Sequence, residues 1–313
     1  MPNVIVTGGA GFIGSNLTDA LMRRGDQVTV LDSLSTGRRS NLDEAIARGA
    51  TLLEVDVRDG DAVAGAFASV QPELVFHLAA QIDVRRSVSD PEFDASVNVG
   101  GTINVLRAGI ASGVARLVNS STGGAIYGDA RQIPTPEEHP QAPDAPYGVS
   151  KGAAERYCEF FGRTSGLSTI SLRYGNVYGP RQDPMGEAGV VAIFCGCVRS
   201  GSRPTIYGDG KQTRDYVFVD DVVRANLLAA DSGATGSVNI GGGVETTVLE
   251  LVAHLDKASE GGLQADHAPE RPGELRRSAL DAGKAAQLLG WEAEVGVAEG
   301  LQRTLDSQRS TPR

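Results

Sequence analysis

Hydrophobic positions in the first half of the chain follow a repeating rhythm. Short, nearly continuous apolar runs alternate with longer stretches in which apolar residues recur every three or four positions. The runs at Val4–Val6, Val28–Leu31, Leu52–Val57, Leu74–Leu78, Arg116–Asn119 and Thr169–Leu172 predict strands. Phe12–Arg24 gathers Phe12, Ile13, Leu17, Ala20 and Leu21 on one face and predicts a helix, and further helices are predicted near Glu92–Ala111 and over about Pro146–Thr164. Strands that are apolar throughout are buried on both faces. Their alternation with helices predicts an α/β fold built on a doubly wound parallel sheet. After about Tyr174 the rhythm breaks. Gly179-Pro180, Asp183-Pro184, Arg203-Pro204 and Gly208-Asp209-Gly210 mark a smaller, loop-rich C-terminal α/β lobe. Asp220–Ala230 reads as a helix and Val238–Ile240 as a strand. The expected division is therefore 1–174 and 175–313, with a segment around 215–240 rejoining the first part.

The length of 313 residues agrees with two units of ordinary size. With 29 basic and 39 acidic residues the net charge is −10, a field that repels phosphate backbones, so no nucleic-acid partner is expected. The longest apolar run, Gly189 to Val198, is ten residues, about half of what a membrane-spanning helix needs, so no membrane partner is expected. Met1-Pro2-Asn3-Val4 opens without a basic segment, and three cysteines do not make a disulfide framework. Both fit a cytoplasmic protein.

The chemistry starts at the first strand–helix junction, where Gly8, Gly11 and Gly14 are spaced G-x-x-G-x-x-G. Glycines there allow a tight turn, close approach of a pyrophosphate and close helix–sheet packing, and the helix N-terminus offers its free N–H groups to the anion. Asp32, ending the second strand, can accept both hydroxyls of an adenosine ribose and would repel a 2′-phosphate, which predicts a Rossmann-type fold using NAD rather than NADP. Arg38 and Arg39 read as surface residues. Asp56-Val57, after the third strand, either flanks the adenine or caps the strand.

Tyr147 and Lys151 form a Y-x-x-x-K pair at the start of a predicted helix, so phenol and ammonium can share one site. A phenol titrates near about 10, and a neighbouring positive charge favours its phenolate. With the glycine loop upstream, Tyr147 is the candidate base and Lys151 its partner. His77 reads as packing. Cys195-Gly196-Cys197 lacks the further ligands of a zinc site, so no metal is expected.

These segments, with His77-Leu78-Ala79-Ala80, Asn98-Val99-Gly100-Gly101-Thr102, Asn176-Val177-Tyr178-Gly179-Pro180 and Tyr207-Gly208-Asp209-Gly210 running on to Arg214-Asp215-Tyr216, resemble the extended short-chain dehydrogenase/reductases, specifically the NAD-dependent nucleotide-sugar epimerases of the UDP-glucose 4-epimerase kind. The resemblance covers nearly the whole chain. It implies C4 epimerisation of a UDP-hexose through a 4-keto intermediate, with UDP-glucuronic/galacturonic acid or UDP-N-acetylhexosamine as alternative substrates. A dehydratase or decarboxylase, or a non-catalytic NAD(H)-binding regulator, are the competing classes. Between Ser120 and Gly128 there is no acidic residue of the kind that dehydratases use.

The resemblance further implies a set of contacts. The cofactor would meet Gly8, Gly11, Phe12, Ile13, Gly14, Asp32, Ser35, Thr36, Gly37, Asp56, Val57, Leu78, Ala79, Ala80, Asn98, Tyr147, Lys151 and Tyr174. In one place the chain departs from the family pattern: four residues before Tyr127 the family carries a hydroxyl and this chain carries Gly123. The catalytic hydroxyl is then Thr122, with Ser121 as the alternative. The sugar nucleotide would meet Thr122, Tyr147, Asn176, Val190, Val191, Thr205, Tyr207, Arg214, Arg271, Glu274 and Ser278. Arg214 and Arg271 would clamp the diphosphate. Val190 and Val191 read equally as pocket wall or core. Arg181 would meet a phosphate, a sugar hydroxyl or a C6 carboxylate. Ser278 stands where a small residue leaves room for an N-acetyl group. Family members commonly form homodimers through two helices.

Overall fold

The computed structural model describes residues 1–184, 189–259, 261–271 and 275–309. Its centre is a seven-stranded sheet in which every neighbouring pair is parallel, in the order β10-β6-β5-β4-β1-β2-β3. The strands are β1 (Asn3–Thr7), β2 (Gln27–Asp32), β3 (Thr51–Glu54), β4 (Leu74–His77), β5 (Arg116–Thr122), β6 (Ser168–Tyr174) and β10 (Gly236–Ile240). Alternation along the strands divides the core. Val4, Val6, Val30, Phe76, Val118 and Ile170 pack on one face with Leu17 and Leu21. Ile5, Leu31, Val75 and Leu117 pack on the other with Phe67, Val105 and Leu106.

The remaining strands lie apart from this sheet. β7 (Asn176–Tyr178), β9 (Thr213–Phe218) and β11 (Glu245–Thr247) form a three-stranded sheet, while β8 (Thr205–Tyr207) pairs with β12 (Asp266–Ala268). Of the segment expected to rejoin the main sheet, 215–218 belongs to β9 instead. The helix Val219–Asp231 and β10 make the return, with β10 in register against β6 from Gly236↔Ile170 to Ile240↔Tyr174.

Other boundaries also differ from expectation. β3 stops at Glu54 because the backbone turns after it: Asp56 accepts from the Arg58 N–H at 2.9 Å. β5 runs on to Thr122, three residues past the predicted end, because it stays in register with β6 throughout. The stretch predicted as one helix over 92–111 is a helix Pro91–Ala95, a π-turn Ser96–Gly100 and a helix Gly101–Ala111. The helix Pro146–Thr164 has the predicted bounds. The helices Gly60–Val70, Val248–Ala258 and Val297–Arg309 were not marked out by the pattern. No helix among the described residues is long and apolar enough to cross a membrane.

Candidate active site

The glycine loop is shaped by what touches it. Gly8 has φ +69°, and a Cβ there would lie 2.6 Å from the Ala79 backbone nitrogen. A Cβ on Gly14 would lie 2.8 Å from Gly9 Cα and 2.9 Å from the Gly8 carbonyl carbon. So the helix Phe12–Arg24 starts in direct backbone contact with the loop, and no side chain caps its N-terminus at Gly11. Asp32 is buried at the end of β2. Its Oδ2 accepts from the Ala10 N–H at 2.9 Å and its Oδ1 from the Leu34 N–H at 2.8 Å. Burial raises its pKa, against these two bonds. A Cβ on Gly37 would come within 2.9 Å of Asp32 Oδ1, so Gly37 lies against that carboxylate, while Ser35 and Thr36 are exposed beside it. Leu78, Ala79 and Ala80 line the opposite edge after β4. Asp56 spends its carboxylate on Arg58 at 2.6 Å, and Val57 packs against Gly101.

Tyr147 and Lys151 lie one turn apart on the helix Pro146–Thr164. The Thr122 hydroxyl at the end of β5 favours the Tyr147 phenolate. Burial pushes the phenol up to about 12; the Thr122 hydroxyl opposes this and the Asp94 charge adds to it. Lys151 is pushed down to about 8 by burial, with the charges of Glu155 and Asp94 resisting. The expectation was that Lys151 would hold the phenol below its ordinary value; in the protein alone the desolvation of the phenolate is the largest influence on it. Behind the pair, Asn98 sits on the π-turn and is buried. Its Nδ2 donates to the Gln81 carbonyl at 2.9 Å, to Asp94 Oδ1 at 3.1 Å and to Ser150 Oγ at 3.2 Å. Asn98 thereby ties the strand β4 edge to the first turn of the catalytic helix. His77 hydrogen-bonds Thr7 at 2.7 Å and Thr102 at 3.0 Å; burial pushes it down to about 3, so it stays neutral and structural.

Several of the expected site residues are engaged within the protein itself. Ser121 is engaged elsewhere: its Oγ donates to buried Glu155 at 2.5 Å, two turns along the helix from Tyr147. The Tyr174 OH meets Ser120 at 3.0 Å and Asn226 at 3.1 Å, and the side chain lies in the same core cluster as Ala10 of the glycine loop. Val191 is a fully buried core residue of the helix Val190–Ser200, with Val190 packed beside it. Arg181 is paired with Asp19 of the first helix at 2.6 Å. Arg38, at the surface, pairs with Asp183.

Asn176 stands beside Thr122: a Cβ on Gly124 would lie 3.6 Å from Asn176 Oδ1 and 4.0 Å from Thr122 Oγ1. In β8, Ile206 is buried while Thr205 and Tyr207 share the open face. The Arg271 guanidinium lies 3.8 Å from the Tyr207 ring centre. Arg214 donates to the Leu275 carbonyl at 2.7 Å. Ser278 is half-buried between two anchor points on β9: Thr213 N–H to the Arg276 carbonyl at 3.0 Å, and Leu280 N–H to Asp215 Oδ2 at 3.0 Å. Glu274 lies outside the described residues. Among the described residues no group of three or more His, Cys, Asp or Glu side chains could hold a metal ion.

Residues 4–241 match the NAD dependent epimerase/dehydratase family. The chain belongs to this family. It is 44% identical over 308 residues to the UDP-glucose 4-epimerase of Mycolicibacterium smegmatis, an alignment covering 98% of each chain. The crystal structure of a UDP-glucose 4-epimerase from Thermotoga maritima with UDP-glucose is 47% identical and superposes with a TM-score of 0.94 over 98% of both chains. That of the Thermus thermophilus UDP-glucose 4-epimerase complex with NAD is 44% identical, with a TM-score of 0.92 over 99% of both. Glu155 was not singled out in the sequence although a signal was present: Tyr147, Lys151 and Glu155 recur every four residues on one helix face.

Proposed function

We propose that this protein interconverts the C4 epimers of a UDP-hexose, UDP-glucose and UDP-galactose first among them. The observation that carries the reading is Tyr147 standing one helical turn from buried Lys151, with the Thr122 hydroxyl acting on the phenol. The glycine loop, so tightly packed on Ala79 and on the helix start that positions 8 and 14 have no room for a side chain, and the buried carboxylate of Asp32 fit NAD. NAD, when bound, supplies the hydride acceptor for C4 and a positive ring that favours the phenolate. The rest belongs to the protein's own side chains. Tyr147 takes the proton of the C4 hydroxyl and gives it back on the other face. Thr122 hydrogen-bonds the C4 oxygen, and Lys151 holds the nicotinamide ribose. Arg214 and Arg271 receive the diphosphate, with Thr205 and Tyr207 bordering the uracil. The test is to incubate the protein with UDP-galactose, UDP-N-acetylgalactosamine and UDP-galacturonate and read the products by NMR. UDP-galactose should turn over without added NAD. Ser278→Tyr should weaken the N-acetyl substrate by about tenfold, the cost of added bulk in a packed site being about 1–3 kcal/mol. Preference for UDP-galacturonate by more than about tenfold would overturn the neutral-hexose reading.

The same reading includes a cytoplasmic homodimer. All three cysteines are free, which suits a reducing compartment. Val149, Tyr157 and Phe160 on the helix Pro146–Thr164 are 57%, 40% and 49% exposed, and Val84 and Val88 on the neighbouring helix Val84–Ser89 are also exposed. An apolar stripe of this kind suits pairing with a second copy. Sedimentation should give twice the chain mass, and Tyr157→Asp with Phe160→Asp should give the single chain.

A further inference from the structure

Glu155 has no task in the chemistry above, yet it is completely buried and paired with Arg173, whose Nη2 lies 2.7 Å from Oε2 and Nε 2.9 Å from Oε1. Oε1 also accepts from Ser121 Oγ at 2.5 Å. Ser121 and Arg173 are register partners on the adjacent strands β5 and β6. One carboxylate on the catalytic helix therefore grips two neighbouring strands of the sheet at the same level. The next residue of β5 is Thr122, whose hydroxyl acts on Tyr147, and one turn before Glu155 on the helix is Lys151. A burial of this cost is stabilising only when the geometry is well satisfied. Here the carboxylate also accepts from Gln141 at 3.2 Å and Ser237 at 3.3 Å.

We propose that Ser121 and Glu155 are positioning residues: the hydrogen bond between them fixes the end of β5 against the catalytic helix and so sets how Thr122 meets the Tyr147 phenol. The inference rests on the epimerase reading and adds to it a role for two residues that touch neither sugar nor cofactor. If Ser121 acts through Thr122, its removal costs turnover rather than binding, because the substrate contacts on β8, β9 and the Arg271 segment are untouched. It also costs little once Thr122 can no longer hydrogen-bond, since the two changes then remove one and the same contact.

The experiment is a double-mutant cycle in the full-length protein, using UDP-galactose. Ser121→Ala should lower kcat about tenfold with KM within about twofold, and Ser121→Thr, which keeps the hydroxyl, should restore it. In the Thr122→Val background Ser121→Ala should lower kcat by less than about twofold. Glu155→Gln, which keeps an acceptor for Ser121, should retain more turnover than Glu155→Ala. Two results overturn the proposal: Ser121→Ala with wild-type kcat, or losses at Ser121 and Thr122 that simply multiply. A Tyr147→Phe variant that keeps its turnover would instead remove the underlying reading, so the two failures are separable.

Discussion

Tyr147→Phe should lower kcat by about 10²–10⁴-fold, the usual contribution of a general acid–base group, while leaving bound nucleotide and KM close to those of the parent. The phenol is the one group on the site that is both acted on by the Thr122 hydroxyl and a turn from Lys151. Phenylalanine keeps the ring and its packing and removes only the proton carrier, so thermal stability should hardly move. The pH profile gives a second readout. Burial favours the protonated phenol, and a base must lose that proton, so kcat/KM should climb between about pH 6 and 9 in the parent. The climb should vanish in Tyr147→Phe. Retention of a quarter of the parental turnover would show that the base has been misassigned. Thr122→Val should cost less, because it removes a hydrogen bond and leaves the proton carrier in place.

Gly14→Ala should strip the protein of tightly held NAD. The added methyl would lie 2.8–2.9 Å from backbone atoms of Gly8 and Gly9, and backbone cannot rotate away as a side chain can. Either the helix backs off or the loop shifts, and both displace the N–H groups at the helix start. A cost of about 1–3 kcal/mol for overpacking corresponds to roughly 5- to 150-fold weaker nucleotide binding. Titration calorimetry with NAD measures it directly. Gly65→Ala is the control. It lies inside the helix Gly60–Val70, and a Cβ there meets nothing within 4 Å. That change should leave NAD binding alone and stabilise the helix by about 0.5–1 kcal/mol. If Gly14→Ala binds NAD as well as Gly65→Ala does, the cradle has been placed in the wrong loop.

The sheet was legible because its strands are short and apolar on both faces, so each stands out from its amphipathic neighbours. Phe12–Arg24 and Pro146–Thr164 were readable to the residue because proline or glycine marks where each begins. The π-turn carrying Asn98 was not, since inserting one residue into a helical turn leaves the apolar spacing nearly unchanged. In the site, motif residues close in sequence could be placed by spacing alone: Gly8 with Gly14, Tyr147 with Lys151. Choosing between Ser121 and Thr122 needed the structure, because both meet the same helix and only the bond of Ser121 to Glu155 shows which hydroxyl is already engaged. The surroundings of Arg181 stayed open in the sequence for a related reason. Its partner Asp19 lies more than a hundred residues away on the first helix, and no local pattern links them.

The seventh strand carries a consequence for how the chain is made. β10 pairs with β6, but more than sixty residues separate Tyr174 from Gly236 in the sequence. As the polypeptide leaves the ribosome, the first six parallel strands are complete while the far edge of the sheet is still bare, with Ile170 and Leu172 next to open backbone donors and acceptors. An uncapped edge of that kind invites pairing with other nascent chains. Fragments ending near residue 174 should therefore collect in inclusion bodies, whereas those extended through Ile240 would bring their own cover for that edge.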